Sequence, residues 1–147
     1  MKDKKRIYLN EEFFISTSFS QLKTLCKNKG IKIKRLGIGR IVFKLGNIFG
    51  LKDLNVYVPS FLNKIFWFEI YRDATQYRKG EITPTASFLE FYDRLVSVYG
   101  NPTRETGMVE DYTMHCEWEL NGVKILLYLF ERFGSEDHLR VELIDVK

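Results

Sequence analysis

MHCEWELNGVKILLYLF, residues 114–130, decides the fold class. Met114, Cys116, Trp118 and Leu120 alternate with His115, Glu117 and Glu119, the period of a half-buried strand. Asn121-Gly122 follows, and both residue types tolerate the positive φ that a two-residue hairpin turn requires. Val123, Ile125, Leu127 and Leu129 then restore the alternation. With the turn at 121–122, Leu120 faces Val123, Trp118 faces Ile125 and Glu119 faces Lys124. Apolar residues meet on one side, and on the other an opposite-charge pair contributes about 0.2–1 kcal/mol, so the pairs agree on one register. Leu139, Val141 and Leu143 predict a third strand of the same meander. Ser135, among Gly134, Glu136 and Asp137, reads as part of the turn before it.

The other face of this meander carries Leu126, Tyr128 and Phe130 beside His115, Glu117 and Glu119. A helix packed on the Trp118 face leaves that apolar row uncovered. Burying one large apolar side chain is worth about 1.5–3 kcal/mol, so three in a row call for a cover. Leu126, Tyr128, Phe130 and His115 are therefore the candidate protein-interaction residues, to be covered by the first half of the chain or by a partner.

Two helices precede strands. Over 19–28, Phe19, Leu22, Leu25 and Cys26 share a face, Ser18 and Gln21 form a capping box, and Gly30 is the stop. Over 88–99, Phe88, Phe91, Tyr92, Leu95, Val96 and Tyr99 form the buried stripe, Ser87 and Glu90 read as a second capping box, and Gly100 and Pro102 end it. Strands are predicted near 31–36, 41–45, 54–58 and 65–71, and one more between residues 7 and 15. The polar segment 73–85 reads as a connector. The expected fold is α+β, with two helices on one face of a largely antiparallel sheet. The chain reads as a single domain over 1–147, and the repeated helix-then-strands order suggests two α-β units of three or four strands, at 1–75 and 85–147.

Composition narrows the class. Hydrophobic residues make up 45% of the 147 and charged residues 29%, too apolar for a disordered chain. The richest apolar run, 65–70, contains Glu69 and falls far short of the roughly 20 residues a membrane span needs. The two cysteines, Cys26 and Cys116, lie on predicted core faces and suggest a reducing, cytoplasmic setting. Charge is uneven: residues 1–50 carry net +9, 51–100 net zero and 101–147 net −5. Either the two ends sit side by side and attract, or the basic half is a surface for an acidic partner.

Motifs for chemistry are missing. Gly37-Ile38-Gly39 lacks the third glycine of a dinucleotide loop and sits between strands, so it reads as a tight turn. There is no C-x-x-C and no H-E-x-x-H. His115 and His138 fall on the first and third strands of the meander, roughly 10 Å apart at the usual strand spacing, too far to share one ion. No serine occupies a nucleophile elbow. No metal, cofactor or catalytic residue is expected. The basic segment 23–44 carries Lys23, Lys27, Lys29, Lys32, Lys34, Arg35, Arg40 and Lys44. Lys32, Lys34, Arg35 and Arg40 are the phosphate-contact candidates. The expected function is a non-catalytic protein-interaction module, of the inhibitor, immunity or adaptor type. Its partner would be another protein or a second copy of itself, with no membrane partner. A nucleic-acid-binding accessory protein using segment 23–44 is the alternative.

Overall fold

The alternation at 114–130 forms the hairpin it predicts, with Leu120 opposite Val123, Glu119 opposite Lys124 and Trp118 opposite Ile125. The computed structural model describes residues 6–111, 113–131 and 135–143. Among them the chain order is β1 (Arg6–Tyr8), β2 (Phe14–Ser16), α1 (Phe19–Asn28), β3 (Ile33–Gly37), β4 (Arg40–Ile48), β5 (Leu51–Pro59), β6 (Trp67–Tyr71), α2 (Ala74–Arg78), α3 (Pro84–Tyr99), β7 (Arg104–Thr106), β8 (His115–Leu120), β9 (Val123–Glu131) and β10 (Ser135–Glu142). β1 and β2 pair with each other, and the remaining strands form one antiparallel sheet in the order β3-β4-β5-β6-β10-β9-β8-β7. The fold is α+β. Two meanders, β3 to β6 and β7 to β10, join through their last strands, where Ile70 faces Leu139 and Phe68 faces Val141.

Strand parity gives the sheet two unlike faces. On the inner face, Phe43, Val56, Ile70, Leu139, Leu127 and Cys116 follow one another across six strands, and all are buried. Helix α3 packs there against β9 and β10 through Phe88, Phe91 and Leu95. Phe19, Leu22 and Cys26 of α1 and Ile7, Leu9, Phe13 and Ile15 around the β1–β2 hairpin join the same core.

Several elements depart from the sequence reading. The strand expected between residues 7 and 15 is a hairpin of two short strands, with Ile7 opposite Ile15. Segment 73–85 holds the five-residue helix α2. Edge strand β7 is exposed throughout, so it has no apolar alternation to read. Ser135 belongs to strand β10 rather than to a turn. Helix α3 starts at Pro84, four residues before the expected position. Thr83 is its N-cap, accepting from the Ala86 amide at 3.1 Å, and proline suits the first helical position because its missing N–H would be unpaired anyway. Ser87 is thus inside the helix. In α1 the Ser18 cap holds, with the Gln21 amide at 3.2 Å, but the Gln21 side chain accepts from Ser16 Oγ at 2.9 Å instead of closing a capping box.

Candidate functional site

The outer face carries the expected interaction row. Leu126 and Tyr128 point to it and are half-buried, and His115 is exposed. Phe130 lies on β9, but its side chain is outside the described residues. Helices α1 and α3 contribute to the inner-face core and the hairpin. Among the described residues, the row's own neighbours on the sheet contribute to half-burying it. The Tyr128 ring sits between two imidazoles: His115 meets it edge-on at 5.5 Å and His138 stacks on it at 5.6 Å with a 7° interplanar angle. Both histidines flank Tyr128 because β8, β9 and β10 are adjacent, with Tyr128 opposite each of them. His138 Nδ1 lies 3.2 Å from Glu69 Oε2 on β6. Burial, and after it the Glu69 charge, raise the Tyr128 phenol above its ordinary value.

A second group adjoins this one. Arg140 of β10 lies opposite Leu126 and Glu69. Its guanidinium covers the Trp67 ring at 4.1 Å and lies 3.2 Å from Glu142. Trp67 in turn meets Tyr57 of β5 at 5.9 Å. Tyr57, Trp67, Arg140, Leu126 and Tyr128 therefore form a half-exposed aromatic and aliphatic band over four neighbouring strands. The sequence carried the signal at Leu126 and Tyr128. It could not show that Tyr57 and Trp67, from the other meander, lie alongside.

Charges on this face alternate in sign. The Glu119–Lys124 pairing holds in register, but the Lys124 ammonium reaches Glu117, at 3.9 Å, and Arg104 approaches the same oxygen at 4.0 Å. Diagonal neighbours two residues along share a sheet face and lie within reach of a long side chain, and Glu117 is the more buried carboxylate.

The basic candidates lie elsewhere. Lys32, Lys34, Arg35 and Arg40 are all exposed at the β3 edge. Lys34 stands opposite Val42 and Arg35 opposite Ile41, so the two point to opposite faces. Arg35 and Arg40, with Lys23 of α1 and the apolar Phe19 and Ile41, line a cleft of about 470 Å³. Among the described residues, no ion pair links a cation of segment 23–44 to a carboxylate beyond Asp73. Among the described residues, the basic segment 23–44 and the acidic end are therefore not joined by ion pairs.

A buried polar cluster escaped the sequence reading. Arg72, at the end of β6, donates from Nε to Ser87 Oγ at 2.7 Å and pairs with Glu90. Ser87 donates to Asp137 at 2.7 Å, and Tyr77 donates to the same carboxylate at 2.6 Å. Burial outweighs these donors and holds the Asp137 carboxyl above its ordinary value. Ser87 is 0% exposed, while Tyr77 and Asp137 are half-buried and Glu90 is exposed. The cluster ties α2 and α3 to β6 and β10. The thiols are inert: burial pushes Cys26 up to about 11 and Cys116 to about 12, where neither is nucleophilic. Among the described residues no three His, Cys, Asp or Glu side chains are grouped to hold a metal ion, and no helix is long and apolar enough to cross a membrane. No family model, curated protein or solved structure matches the chain.

Proposed function

We propose that the chain is a non-catalytic protein-binding module, and that the outer sheet face centred on Tyr128 is its contact surface. The observation that carries this reading is the half-exposed band of Tyr57, Trp67, Arg140, Leu126 and Tyr128 on the face opposite the helix-packed core. Tyrosine, tryptophan and arginine dominate the binding energy of protein interfaces, because each buries a large, stiff surface with a polar tip. The face also interleaves Glu69, Glu117 and Glu142 with Lys124, Arg104 and Arg140. Such carboxylates repel a polyphosphate chain and suit a partner of mixed charge. An inhibitor, immunity-type or adaptor protein needs a surface of this kind. The two free buried thiols support a reducing, cytoplasmic setting.

The test is capture with the tagged chain, with and without nuclease, followed by titration of the captured protein. Trp67→Ala and Tyr128→Ala should each weaken binding about tenfold or more, a loss of roughly 1.4 kcal/mol, while the unfolding midpoint stays nearly unaltered. If the partner is a second copy, sedimentation should show a dimer that the same changes dissociate. Capture that disappears with nuclease, or survives both substitutions, would rule the reading out.

A further inference from the structure

We infer that the end of the sheet formed by the β3–β4 turn and the β5–β6 connection docks on an anionic phospholipid surface. This goes beyond the protein-binding reading and uses different residues. The two loops are fastened together: the Ser60 amide and hydroxyl both donate to Gly39 O, at 2.7 and 2.9 Å. The start of α1 is fastened to the same connection, with the Phe19 amide on Asn63 O at 3.0 Å and the Ser20 amide on Asn63 Oδ1 at 2.9 Å. The resulting end projects large apolar side chains into water. Ile38 is fully exposed, Phe61 is 68% and Leu62 82% exposed.

Leu62 is also placed against backbone preference. Phe61 and Lys64 exchange both backbone hydrogen bonds at 2.9 Å, closing a two-residue turn in which Leu62 has φ +50° and Asn63 φ +65°. Glycine and asparagine suit both positions, and a leucine does not. An apolar side chain at the apex is therefore held there at a cost to the free protein, and strain of this kind clusters at contact sites.

Cations surround these tips. Lys23, Arg35 and Arg40 line the cleft behind Ile38, and Lys64 is exposed beside Leu62. Residues 13–52 contain no aspartate or glutamate at all. Among the described residues none of these four cations is in an ion pair. Phosphate with a base stacked on Phe61 would satisfy the cations and one tip but leave Ile38 and Leu62 in water, since neither aliphatic side chain can stack. A bilayer headgroup region satisfies both: basic side chains meet anionic headgroups while apolar tips enter the acyl boundary. This is surface attachment and requires no spanning segment. The sequence expectation of no membrane partner rested on spanning segments alone.

The test is co-sedimentation of the full chain with vesicles of phosphatidylcholine, with and without phosphatidylglycerol, at low and at high salt. The protein should bind the anionic vesicles about tenfold or more tightly than the neutral ones, and salt should weaken the binding. Leu62→Asn fits the turn and should keep or raise the melting temperature while reducing partition severalfold. Arg35→Gln with Arg40→Gln should abolish the preference for anionic lipid. Tyr128→Ala should change none of this, which separates the result from the sheet-face reading. Absence of binding to anionic vesicles at low salt, equal binding to both compositions, or undiminished binding by Leu62→Asn would each overturn the inference. So would polynucleotide binding, or capture of a soluble protein, that depends on these residues while vesicles are ignored.

Discussion

Ser87 accepts from the Arg72 guanidinium and donates to the Asp137 carboxylate while fully buried. Its hydroxyl is the smallest group able to serve both at once. In Ser87→Ala, Arg72 Nε loses its acceptor and Asp137 one of its donors, with no water to replace them. Leaving buried polar groups unpaired costs about 1–3 kcal/mol, and urea unfolding should show a loss of that size. A loss within about 0.5 kcal/mol, the range of ordinary surface substitutions, would mean that water or a rearranged side chain restores the bonds. The same local pattern misled the sequence reading. Ser87 and Glu90 stand three apart at the head of an apolar stripe, as in a capping box, yet both are bound to Arg72.

At the scale of the element, helix α3 owes its start to Thr83-Pro84. Thr83→Ala removes the acceptor for the Ala86 amide and should cost about 1 kcal/mol, within the usual range for lost N-caps. Thr83→Ser keeps the oxygen and should recover most of it; equal losses in the two variants, read by thermal unfolding, would show that the cap contributes nothing. The elements legible from sequence were those whose signal is local. The hairpin at 114–130 combined a strict period of two with Asn-Gly, and α1 had a cap, an apolar face and a glycine stop. Edge strand β7 and helix α2 were not legible. Arg104, Glu105 and Thr106 form a strand only because β8 offers them a free edge, and α2, at five residues, is too short to show a helical period.

For the whole molecule, packing α3 and the β4–β5 turn against the sheet places tyrosines where ionisation is costly. Burial pushes Tyr99 up to about 12, and burial, followed by the hydrogen bond to Glu105, does the same to Tyr92. Tyr77 is raised further by burial and Asp137. A folded value above the ordinary one of 10.0 means that the unfolded chain releases these protons first. Their contribution to stability is therefore complete below pH 10 and is lost as pH climbs towards 12. Spectrophotometric titration should show a late group of tyrosines ionising together with unfolding, and Tyr92→Phe and Tyr99→Phe should each make the alkaline loss of stability shallower. Reversible ionisation of every tyrosine near 10 with the fold intact would contradict the packing described. The sequence by itself determined the α+β class, the hairpin register, the helix faces, the outer-face placement of Leu126 and Tyr128 and the exposure of the basic edge. All of these follow from periods and turns spanning a few residues. Only the tertiary structure decided that β6 pairs with β10. That pairing joins residues about seventy positions apart, and no local preference encodes it. It brings Tyr57 and Trp67 beside Tyr128, because strand order is set by which apolar faces can be buried together.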